Sequence, residues 1–87
     1  MLLMDQGYNC RGGPGGGYEL IWTFEEGALK EIIGRTSDNS WWLVRINDSR
    51  TRRQQCWVGG GIPQGNTSQV PISNWTGTVD TAKTPWP

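Results

Sequence analysis

Six tryptophans in a chain of 87 residues constrain its fold more than any other feature. A domain this short buries only about 60–68% of the surface its unfolded chain exposes, so its core is small and each large side chain counts. Aliphatic material is scarce. Apolar residues make up 34% of the chain, against a usual ~45–50% that also counts Gly. Thirteen glycines add no core volume. Indoles, each able to bury on the order of 150–250 Å², must therefore supply much of the interior. The length permits one small domain and excludes a large enzyme fold.

Net charge is zero, from 8 basic and 8 acidic residues, so no overall field draws the chain toward nucleic acid or anionic lipid. No apolar run approaches the ~18 residues of a membrane-spanning helix. The opening Met1-Leu2-Leu3-Met4 is also too short for the apolar region of an export signal. Cys10 and Cys56 are the whole thiol inventory. Neither lies in a CxxC pair and the chain has no His, so a zinc site or redox motif lacks its partners. Two readings remain open: a Cys10–Cys56 disulfide, which points to an oxidising compartment, or two buried thiols in a reducing one. The disulfide is favoured, because closing that loop contributes roughly 4 kcal/mol in the chain-entropy model, comparable to the whole stability of a small domain.

Along the chain, Gly12-Gly13-Pro14-Gly15-Gly16-Gly17 is a flexible loop between extended segments. It lacks the Lys-Ser/Thr ending of a phosphate-binding loop. Residues 18–24 are β-rich, with Tyr18, Leu20, Trp22 and Phe24 on one parity. A turn at 25–27 leads to residues 28–33, which read better as strand than as helix because the span is short and bounded by Gly27 and Gly34. After the polar loop 35–40, residues 41–46 form the clearest strand, with Trp42, Val44 and Ile46 expected to face the core. A hairpin connection carrying Arg50, Arg52 and Arg53 leads to the strand Gln55-Cys56-Trp57-Val58. Val70-Pro71-Ile72 is expected as a last edge strand, where Pro is tolerated. From Ser73 the composition is that of a Thr-, Pro- and Gly-containing tail or linker. Short strands spaced by turn signals predict an all-β barrel or sandwich over residues 1–72 followed by a tail over 73–87.

These residues carry a resemblance. Asn9-Cys10-Arg11 with Gly13-Pro14, then Tyr18, Gly27, Gly34-Arg35, the block Asp38 to Val44 and finally Cys56-Trp57-Val58 stand in the order of the motifs of the bacterial SH3 (SH3b) domain. The chain resembles that family over about residues 8–72. Two positions depart from the usual pattern: Cys10 replaces an apolar residue and Cys56 replaces the Gly before Trp57. The pair resembles a secreted subset in which these positions are joined, which supports the disulfide. The resemblance implies a small SH3-like barrel of five to six short strands, a bacterial extracellular or cell-surface location, and a non-catalytic module that binds cell-wall peptide or glycan or tethers neighbouring domains.

The residues agree about catalysis. Without His, and with no paired carboxylates on one element, the usual acids, bases and nucleophiles are missing, so no catalytic residue, cofactor or metal is expected. Asp38 and Asp48 lie in turns, where Asp ordinarily caps backbone. Arg45, Arg50, Arg52 and Arg53 form the one local charge excess. They read as a solvated hairpin, with nucleic-acid binding as a remote alternative. Asn47, Asn66 and Asn74 open N-x-S/T triplets that matter only in a host with glycosylation machinery.

The tryptophans then divide. Trp42 and Trp57, in motif strands, are expected in the core. Trp22 and Trp41, with Tyr18 at the end of the Gly-rich loop, are the candidate ligand platform, since an exposed aromatic face can stack on a sugar ring or hold an extended peptide. Trp75 and Trp86 fall in the tail, where they pack back on the barrel or lie across a second copy. The latter option describes a self-assembling structural subunit.

Overall fold

The structure, a computed structural model, describes residues 1–77. Trp86 and the Thr84-Pro85-Trp86-Pro87 segment lie outside the described residues. Eight short strands follow in chain order: β1 (Leu2–Leu3), β2 (Tyr8–Arg11), β3 (Leu20–Phe24), β4 (Leu29–Lys30), β5 (Ile32–Arg35), β6 (Trp42–Arg45), β7 (Gln55–Val58) and β8 (Ile62–Pro63). Among the described residues there is no helix. The strands form two antiparallel sheets, a small one ordered β4-β1-β8 and a larger one ordered β3-β2-β7-β6-β5. The protein is thus all-β and barrel-like.

The strand count exceeds five or six for two local reasons. Residues 29–35 change sheets at Glu31, so what reads as one strand serves as β4 in the small sheet and β5 in the large one. The Arg45 backbone amide bonds the Glu31 carbonyl across that corner at 3.0 Å. Secondly, Leu2–Leu3 and Ile62–Pro63 pair as two-residue strands, too short for any alternation to show. The segment 70–72 makes a single parallel bridge, Ile72 to Arg35, in place of a strand of its own.

Register sorts the side chains of the large sheet. Trp42 lies opposite Val58 and Val44 opposite Cys56, and these four, with Cys10, Phe24, Ile46, Leu2 and Met4, make the core. The trio Trp42, Val44 and Ile46 faces inward because side chains alternate along a strand. Cys10 and Cys56 are joined in that core, with Cα atoms 5.4 Å apart. Their bond ties β2 to β7, which are already neighbours through Cys10 and Val58.

The opposite parity, Leu43 facing Trp57, points out of the core, yet both side chains are buried. Residues 70–77 cover them. The strap begins at the edge of β5, where the Arg35 amide bonds the Pro71 carbonyl at 3.1 Å and the Ser73 amide bonds the Arg35 carbonyl at 3.0 Å. It continues over β7, where the Trp57 indole N–H donates to the Trp75 carbonyl at 2.9 Å, and reaches the residue after β2, where the Gly77 amide bonds the Gly12 carbonyl at 2.8 Å. Gly34 lets it pass, because a Cβ there would lie 2.9 Å from that of Ser73.

Two outcomes follow. Ending the chain after Ile72 strips Trp57 of its cover, so the variant should show red-shifted tryptophan emission and lose about 2–4 kcal/mol in urea unfolding; unchanged emission and midpoint would contradict the strap. Replacing both cysteines by Ala should cost about 4 kcal/mol, with no loss in the oxidised protein counting against a structural cross-link.

Candidate functional site

An edge strand of a sheet carries backbone groups that need partners. The large sheet has two such edges, β3 and β5. The strap takes the β5 edge through Pro71, Ile72 and Ser73. On its outer side β3 pairs with no strand among the described residues. Residues 20–25 instead line an open groove of about 640 Å³, whose other wall is Ala28, Lys30, Asp48 and Arg50.

Trp22 sits half-buried in this groove, packed against the core. The Arg50 guanidinium lies 5.4 Å from its ring centre, a cation–π distance. Asp48 holds Arg50 there: one carboxylate oxygen accepts the Arg50 backbone amide at 2.8 Å and Nε at 3.0 Å, and the other accepts Nη2 at 2.7 Å. These bonds from Arg50 pull the Asp48 carboxyl down to about 2 and raise the Arg50 guanidinium further. Beside them Lys30 lies 5.5 Å from the Phe24 ring centre and donates to the Ile46 carbonyl at 3.0 Å. Each cation of the groove therefore covers an aromatic ring and is matched by an oxygen acceptor.

The Arg-rich hairpin behaves the same way. Arg45 pairs with Glu31 at 3.2 Å, Arg50 with Asp48, and Arg53 with Glu19 at 2.5 Å. Arg53 is buried, with 9% of its surface exposed. A carboxylate of the same chain thus offsets each of these three charges. The Arg53–Glu19 pair spans 34 residues, and no local pattern in the sequence announces it.

Tyr18 lies elsewhere. Its ring rests on Gly13, where a Cβ would collide with it, and faces a smaller cleft of about 280 Å³. One wall of that cleft is the 36–40 turn, through Thr36 and Ser37, and the other is the strap, through Ile72, Ser73, Asn74 and Thr76. Trp41 lines neither space; it is half-buried with its indole against Gly59. The three aromatic candidates are thus distributed over three places, and do not form a single platform. Lys30, Asp48 and the strap residues Ile72, Ser73, Asn74 and Thr76 carry no binding signal in the sequence, because each acquires its neighbours from other segments.

The 36–40 turn is built around Asp38. Its carboxylate accepts the Ser40 hydroxyl at 2.7 Å, the Thr36 hydroxyl at 2.8 Å and the Ser40 amide at 3.1 Å, and these bonds, led by Ser40, hold its carboxyl at about 2. Asn39, at φ 60°, takes the left-handed position that Asn tolerates. No group of three or more metal-ligating side chains occurs among the described residues. Compared with known proteins, the chain matches no family model, no curated protein and no solved structure.

Both aspartates are held below the ordinary carboxyl value of 3.8. Each therefore contributes stability that is present above about pH 4 and lost as pH falls through about 2. Urea midpoints measured from pH 5 down to pH 2 should fall across that window, and the Asp38→Asn, Asp48→Asn double variant should flatten the profile; a variant profile as steep as wild type would refute this origin.

Proposed function

We propose that the protein is an exported, non-catalytic binding module of SH3b type, and that the Trp22 groove takes an extended segment of cell-wall peptide. The observation that carries this reading is the coincidence of a β3 edge that pairs with no strand among the described residues and a half-buried tryptophan in one open groove. Strand addition uses these two components: backbone groups supply affinity, while a pocket beside the edge selects a side chain. Leu20, about half exposed at the mouth of the groove, extends the apolar surface. The Cys10–Cys56 bond supports an oxidising location. No helix among the described residues is long and apolar enough to cross a membrane. The motif order that resembles SH3b domains points the same way, with cell wall as the surface such a module would meet.

Retention on purified cell wall is the test. Trp22→Ala should reduce it about tenfold, the loss of one aromatic contact, and Leu20→Glu should reduce it with the fold intact. Arg45→Ala, outside the groove, should be retained like wild type. Equal retention of all four proteins would sink the proposal.

A further inference from the structure

The Tyr18 cleft has a wall chemistry unlike that of the Trp22 groove. None of its lining residues is charged. Tyr18 and Ile72 supply apolar surface and remain 38% and 56% exposed. Pro14 adds to the apolar part, and neutral hydroxyls and one amide supply the rest. Two of these are already used: Thr36 Oγ1 donates to Asp38 and Ser73 Oγ accepts the Trp75 amide. The side chains of Ser37, Asn74 and Thr76 make no hydrogen bond among the described residues. Asn74 and Thr76, on either side of Trp75, both line the cleft, while the carbonyl of Trp75 is held by the Trp57 indole.

We infer that this cleft is a second binding site, and that it takes one ring of a neutral saccharide. A pyranose has an apolar C–H face and a rim of hydroxyls. Tyr18 and Ile72 match the face, while Ser37, Asn74 and Thr76 match the rim as donors and acceptors. A charged ligand would lose hydration there with no opposite charge to replace it. The volume, about 280 Å³, lies just below the range of drug-sized ligand pockets, about 300–1,000 Å³, and suits a single ring. The walls are set in advance, since Tyr18 is seated on Gly13, the turn is tied by Asp38, and the strap is pinned at Arg35 and Trp57. Less ordering is then needed on binding. The inference rests on the binding-module reading only for the source of the saccharide, a wall glycan.

The test is a titration of the full chain, followed by amide NMR shifts, with the neutral trisaccharides chitotriose and cellotriose, with charged trigalacturonate, and with a Pro-rich peptide. Both neutral sugars should shift Gly13, Tyr18, Ser37 and residues 72–76, with millimolar affinity. Tyr18→Ala should weaken this about tenfold, and Tyr18→Phe should retain it. Asn74→Ala and Thr76→Ala, exposed and with no side-chain hydrogen bond among the described residues, keep the fold and should each weaken binding. Trp22→Ala should bind the sugars like wild type whatever its retention on cell wall, so the two proposals fail separately. Absence of shifts with both sugars, shifts mapping to the Trp22 groove, or preference for trigalacturonate or the peptide in the cleft would each overturn the inference.

Discussion

The hydrogen bond from the Trp57 indole to the Trp75 carbonyl organises the molecule. A fully buried indole whose N–H lacked a partner would cost on the order of 1–3 kcal/mol. Trp57 has no exposed surface, although its parity directs it away from the main core. It needs both a cover and an acceptor, and one segment supplies both. The path of that segment then decides much else. It occupies the β5 edge, leaves β3 as the edge of the large sheet without a strand partner among the described residues, and brings Asn74 and Thr76 to the turn at Thr36 and Ser37.

The large sheet is consequently fastened on both faces. Inside, the Cys10–Cys56 bond links β2 and β7. Outside, the strap runs from β5 over β7 to the residue after β2. Strands of two to five residues bury too little to hold their order by pairing alone, and a chain poor in aliphatic residues gains from cross-links on each side. The four buried residues Leu43, Trp57, Trp42 and Val44 illustrate the result: neighbours in sequence and register that face two different interiors.

Electrostatics in this molecule is local. Arg45, Arg50 and Arg53 sit on carboxylates, and the two cations of the groove sit over rings. A chain of zero net charge thus avoids a single-sign patch even where its sequence concentrates Arg. Recognition then falls to shape, aromatic faces and backbone edges, in two spaces of different chemistry.

Much of the fold is legible in the residues alone. The alternation of residues 41–46 places Trp42, Val44 and Ile46 inside, turn signals mark the breaks between strands, and two cysteines without His partners point to a disulfide. These are local properties, set by strand periodicity and ligand chemistry. The candidate site is less legible. Tyr18, Trp22 and Trp41 were recognisable as aromatic residues outside the best core positions, but the structure assigns them to a cleft, a groove and a glycine contact. Residues 73–77 have the composition of a linker, yet they complete the outer layer, because Trp57 offers them a buried face and an indole N–H. The sequence by itself determined an all-β chain whose core must use tryptophan and whose two cysteines, without His partners, favour a disulfide. Only the tertiary structure decided which aromatic faces stay open, because exposure depends on what a distant segment covers, and neither periodicity nor composition encodes that partner.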